Sequence, residues 1–92
     1  MDFETALFHL KTGRRMTRTG WNGKGMFVFL VPGSEFQVNR PPLLGIYPAG
    51  HTVKYRPHLD LVAVNGSVGV WTPSSTDLLS DDWEFVVAPS TT

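Results

Sequence analysis

The chain has 92 residues, no cysteine, and eight basic residues balancing eight acidic ones. That length suits one domain, at roughly 100–200 residues each, and a domain of this size buries only about 60–65% of its unfolded surface, so a partner subunit would add stability. Without cysteine there is no disulfide framework, thiolate metal site or Cys nucleophile, and zero formal charge builds no field for duplex DNA.

The first ten residues, MDFETALFHL, place acids ahead of short apolar positions, the reverse of a secretory signal. No apolar run approaches the roughly 18 residues of a membrane span, so a reducing cytoplasmic setting is expected. Asp2 is positioned to cap a helix whose apolar residues Phe3, Ala6, Leu7 and Leu10 recur at helical spacing, and Gly13 with Lys11, Arg14 and Arg15 supplies the stop. Phe8 lies off that stripe. Arg14, Arg15, Arg18 and Lys24 gather early and Asp77, Asp81, Asp82 and Glu84 late, so an anionic ligand is expected to meet the N-terminal side.

The loop Gly20-Trp21-Asn22-Gly23-Lys24-Gly25 sets an indole among glycines. It is followed by Met26 to Val31, apolar at both strand parities and stopped by Pro32-Gly33. Such a strand is buried on both faces, and one helix covers only one. The second layer is either another copy of the chain or the loop 39–57 folded over the sheet. Within that loop, 39–50 is too rich in Pro and Gly for regular structure and too apolar for a solvated linker, so a packed loop is expected.

Leu59 to Val64 and Ser67 to Thr72 flank Asn65-Gly66, a strong hairpin signal. A two-residue turn there predicts Val64 opposite Ser67, Val62 opposite Gly69, Asp60 opposite Trp71 and His58 opposite Pro73, with His58, Asp60 and Trp71 on one face. Gly69 would leave an open slot beside the indole; the competing reading buries Trp71 in the core. Ser75 or Thr76 is expected to cap one helical turn through Leu79, ahead of a last strand from Trp83 to Val87. The fold class is therefore α+β. A short N-terminal helix packs on a small twisted antiparallel sheet, with a packed Pro/Gly-rich loop and a short helical turn before the last strand. The domain spans 1–88, and 89–92 form a flexible tail.

The Gly23-Lys24 pair invites comparison with phosphate loops, but Arg18 stands where a Walker loop needs glycine and Gly25 where it needs Ser or Thr. The dinucleotide fingerprint lacks its last glycine. What remains is a turn offering backbone N–H groups, an amide and a cation beside an aromatic face, the parts a nucleotide asks for. His58 and Asp60 share a strand face near His51, without a third metal ligand at recognisable spacing. Ser74, Ser75 and Thr76 near Asp77 fit helix capping as well as chemistry, and no nucleophile elbow is present. Of the three tryptophans, Trp83 reads as core, leaving Trp21 and Trp71 as stacking rings worth about 1–3 kcal/mol per base. Binding is favoured over catalysis, and no cofactor or metal is expected.

Four ordered blocks, GWNGKGMFVFLVPGS, VNRPPLLGIYPAG, YRPHLDL and WTPSSTDLLSDDWEF, together resemble the phage Thoeris anti-defence domain of the second type, over about Phe3 to Val87. The resemblance implies a small α+β homotetramer in the cytoplasm of an infected bacterium. It would act as a sponge for cyclic ADP-ribose isomers made by TIR-domain immune enzymes and leave them uncleaved. Some relatives also hold cyclic di- or trinucleotides in separate pockets. Residue by residue, the resemblance places Trp21, Asn22, Lys24 and Trp71 at the ligand. Ser74, Thr76 and Asp77 are polar candidates, and Arg40 is a candidate phosphate partner, the competing reading being an ordinary surface ion pair. Ser75 stands where a glutamine is expected before Thr-Asp. A ligand of about 35 heavy atoms at about −0.3 kcal/mol per atom gains about −10 kcal/mol, enough for nanomolar-range sequestration if enclosed, which a pocket between protomers would achieve. The alternatives are a nucleotide hydrolase using His58, Asp60 or Asp77, and a general nucleotide- or carbohydrate-binding module.

Overall fold

The computed structural model describes residues 1–22 and 24–87; the expected tail 89–92 lies outside the described residues. Helix α1 (Phe3–Lys11) forms where its periodicity predicts, with Asp2 accepting the Thr5 N–H at 2.9 Å. Gly13, at φ +94°, turns the chain back onto the sheet. The strands are β1 (Met16–Arg18), β2 (Phe27–Val31), β3 (Ser34–Gln37), β4 (Thr52–Tyr55), β5 (His58–Val62), β6 (Val68–Val70) and β7 (Trp83–Phe85), with helix α2 (Ser75–Leu79) before the last. Five of them make one antiparallel sheet in the order β6-β5-β2-β1-β7, and β3 pairs with β4 alone.

Cross-strand pairing puts Phe85, Met16, Val28, Leu61 and Gly69 in one row on the α1 side of the sheet. Ala6 and Leu10 of α1 close on Met16, Val28, Trp71 and Trp83 to form the buried core. Trp83, expected in the core, is 1% exposed. The backbone of Met1 bonds Trp83 in both directions, N–H to carbonyl at 2.7 and 3.0 Å, which ties the start of the chain to the β7 edge.

The β5–β6 hairpin forms, but in a different register from the expected one. Ala63 and Ser67 close the turn. Gly66 donates to the Ala63 carbonyl, Ala63 donates to Ser67, and Gly66 takes φ +85°. This is a three-residue loop with a glycine bulge rather than a two-residue turn. Asp60 therefore faces Val70 and Leu61 faces Gly69. A slip of one residue moves side chains to the other face: Trp71 bonds Leu59 and joins the core, while His58 and Asp60 point away from it.

The face opposite α1 carries Phe27, Phe29, Val31, Val62, Val68 and Val70, with Val68 55% and Val70 72% exposed. Strand β2 is thus apolar toward both sides, as its sequence requires. The loop 39–57 does not supply the second layer. Its strand β4 pairs with the preceding β3, and neither packs on the main sheet. The stretch 39–50 is irregular as expected but not packed on the sheet, since Leu44, Ile46 and Tyr47 stand outward. The ribbon closes locally through buried Val38, which exchanges backbone bonds with His51 and Gly50. The result is an elongated molecule, with a radius of gyration of 16.2 Å against about 12 Å for a compact chain of this length.

Candidate functional site

Two blocks far apart in sequence meet at one carboxylate. Ser74, not Ser75 or Thr76, caps α2. It is half of a capping box, accepting the Asp77 N–H at 3.1 Å while Asp77 Oδ2 accepts the Ser74 N–H at 3.0 Å. The box orients Asp77 so that Oδ1 accepts the Trp21 indole N–H at 3.1 Å and an Arg18 N–H at 2.8 Å. Burial disfavours the charged carboxylate, but the Ser74, Trp21 and Arg18 donors outweigh it and hold Asp77 below its ordinary value. A carboxylate offers about four acceptor sites, and here three donors fill most of them. Asp77 thus serves first to hold Trp21.

Trp21 is half-buried and stands edge-on to Trp83 with ring centroids 5.3 Å apart. Trp71 meets the same Trp83 edge-on at 5.7 Å, and Phe3 packs against both buried indoles. At 8% exposure Trp71 is the floor of this aromatic cluster. The expected slot at Gly69 exists as open space, since a Cβ there meets nothing within 4 Å. It lies in a cavity of about 240 Å³ lined by Leu61, Ala63 and Val68, not by Trp71.

Asn22 and Lys24 are exposed, and Gly25 lines a cavity of about 440 Å³ with Arg15, Thr17, Phe27 and Glu84. Ser74 is committed to the cap, while Thr76 is exposed and its carbonyl accepts the Ser80 hydroxyl. Arg40 is not brought to this cluster. It lines a separate cavity of about 350 Å³ in the β3–β4 ribbon, with Gln37, Asn39 and Leu43.

The early basic and late acidic clusters meet at one residue. Arg18, only 11% exposed at its side chain, bridges Asp77 and Asp82, and Arg14 and Arg15 lie over the Phe85 and Phe27 rings at 4.1 and 5.2 Å. Arg18 and Asp82 join the cluster without belonging to the residues expected at the ligand. The available signal was parity: Arg18 is two residues from buried Met16, so a cation points into the core side and requires a partner. Elsewhere, His58 Nε2 lies 3.3 Å from Asp60 Oδ1, an oxygen that is buried without hydrogen-bond geometry to any donor. His51 is stacked on Tyr47 in the ribbon. Among the described residues no group of three His, Asp or Glu side chains is placed to hold a metal.

The family model of the Thoeris anti-defense 2-like domain matches residues 1–86. The chain is also similar to the protein named Thoeris anti-defense 2 of Bacillus phage SP01, 32% identical over 90 residues that cover 94% of each chain. A match this complete, in a chain whose separated sequence blocks converge on one aromatic and acidic cluster, shows that the protein belongs to the Thoeris anti-defense 2-like family.

Proposed function

We propose that this protein counters Thoeris defence by binding the cyclic ADP-ribose-type nucleotide made by a TIR-domain enzyme and sequestering it unchanged in the host cytoplasm. The observation that carries this reading is the Trp21–Asp77 contact at 3.1 Å. It fixes the edge of an indole whose neighbours Asn22 and Lys24 are free to meet a ligand. An adenine stacks on the Trp21 face, Asn22 and Thr76 bond its polar edge or ribose, and Lys24 meets the pyrophosphate. Ser74 and Asp77 contribute by ordering the platform, and Trp71 by supporting it through Trp83.

Family membership supports the anti-defence role, and Asp77 supports the absence of catalysis. Held ionised by three donors, it is poorly suited to exchange a proton near neutral pH. Sequestration needs more enclosure than one chain offers around Trp21. The uncovered face of Phe27, Phe29, Val62 and Val70 supports assembly with further copies, completed as a tetramer. In that assembly a partner's ribbon brings its copy of Arg40 to the ligand. Cyclic di- or trinucleotides, the second ligand class, would find Lys54, Arg56, Tyr55 and His58 in a groove of about 470 Å³.

The test is mass spectrometry of small molecules released by heat from protein mixed with lysate of cells expressing a TIR enzyme. Recovery of an intact cyclic ADP-ribose isomer supports sequestration. Recovery of a cleaved product, abolished by His58→Ala or Asp77→Ala, establishes the hydrolase instead. If no nucleotide is enriched, the proposal fails.

A further inference from the structure

The loop that carries Trp21 is tethered more firmly than its glycines suggest. Its anchor is Arg18, at the end of β1, whose planar guanidinium spans two carboxylates. Nη1 donates to Asp77 Oδ1 at 2.8 Å, Nε to Asp82 Oδ1 at 2.8 Å and Nη2 to Asp82 Oδ2 at 3.3 Å. Asp82 in turn accepts the Gly20 N–H at 2.9 Å and the Thr19 hydroxyl at 3.4 Å, and its carbonyl accepts the Thr19 N–H. The Trp21 N–H then bonds the Arg18 carbonyl at 3.2 Å. Both ends of the Trp21 residue, backbone and indole, are therefore fixed by groups that meet at Arg18.

Gly20 fits this picture through space rather than flexibility. A Cβ at Gly20 would stand 2.7 Å from Asp82 Oδ2 and 3.1 Å from Arg18 Nη2. A side chain there would have to displace the Asp82 carboxylate and crowd the Arg18 guanidinium, so glycine leaves the ion pair undisturbed.

We propose that Arg18 and Asp82 are positioning residues that preorganise the Trp21 ring for stacking, the Arg18 fork holding the loop and the start of α2 in one geometry. This rests on Trp21 being the stacking platform. Preorganisation removes the ordering cost that a loose indole would impose on the bound state. A lysine at residue 18 keeps the charge but cannot reach both carboxylates in this fork.

The experiment uses the full chain and cyclic ADP-ribose as probe, with Arg18→Lys and the milder Asp82→Asn, whose side chain is 27% exposed. The ligand-free readout is the Trp21 indole N–H in proton–nitrogen NMR, identified by its loss in Trp21→Phe. In both variants that resonance is expected to shift and exchange faster with solvent, and binding to weaken about tenfold. The far-UV spectrum and the Trp83 indole resonance should stay native in Asp82→Asn. An unmoved Trp21 resonance in folded Asp82→Asn overturns the proposal. So does a moved resonance with unchanged affinity. If Trp21→Ala itself binds cyclic ADP-ribose as well as the parent, the platform reading fails and takes the binding role of Arg18 with it, even where the resonance moves.

Discussion

Replacing Asp77 with asparagine keeps the shape of the side chain and removes its charge, which isolates what the carboxylate does. In the parent, Oδ1 accepts from Arg18 and Trp21 and Oδ2 accepts from Ser74. An amide has one acceptor oxygen. If that oxygen faces Arg18 and Trp21, the NH₂ group points at the Ser74 N–H, donor against donor, and the capping box opens; if it flips, two contacts are lost. The first orientation is the better one, and it removes one hydrogen bond to a charged group at a side chain only 13% exposed. That costs about 1.5–3 kcal/mol, or roughly 6–24 °C in melting temperature at about 4–8 °C per kcal/mol for a domain of this size.

The dependence on pH follows from the lowered folded-state pKa of Asp77. A group whose carboxylate is favoured by folding contributes stability above its unfolded value of about 4 and loses that contribution as pH falls through the folded value. The parent should therefore melt well above Asp77→Asn at pH 7, and the gap should close in strong acid. Calorimetry at one fixed protein concentration measures both, which holds any contribution from assembly constant. Equal melting temperatures at pH 7, or a gap unchanged in strong acid, would refute the role assigned to this carboxylate.

Trp21→Ala should weaken cyclic ADP-ribose binding by roughly fivefold to 150-fold, the equivalent of about 1–3 kcal/mol of stacking; calorimetric titration measures it, and an unchanged affinity sinks the platform. Val70→Glu, on the face away from the core and 72% exposed, should change monomer stability by no more than about 0.5 kcal/mol. It should lower the mass seen in sedimentation, and an unaltered mass would show that this face is not the assembly surface. Trp83→Ala removes a ring that touches Phe3, Trp21 and Trp71 and should cost about 3–5 kcal/mol. In so small a domain that leaves little folded protein by circular dichroism, and a native-like melt would contradict the central place of this indole.

Much of the fold was legible because its signals are local. The Asp2 cap, the stripe through Phe3, Ala6 and Leu10, and the Gly13 stop all lie within one short segment and need no distant partner. The double-sided apolarity of β2 likewise foretold a strand with demand on both faces. The short strands β1, β3 and β4 carry too few residues for a periodic pattern to stand out. Asn65-Gly66 announced a hairpin but not its register. A two-residue turn and a three-residue turn with a glycine bulge use similar residues, and the choice depends on which side chains of β5 and β6 the core accepts.

The sequence by itself determined the α+β class, the core position of Trp83, and the family resemblance that spans nearly the whole chain. Only the tertiary structure decided that Trp71 packs beneath the aromatic cluster and that the ribbon leaves one sheet face uncovered. It also decided that the two opposed charge clusters meet at Arg18. Local propensity acts over a few residues, whereas Arg18 and Asp82 are brought together across a sheet edge by β1 pairing with β7. A contact of that kind has no local pattern; it exists only once the strands on either side of it have paired.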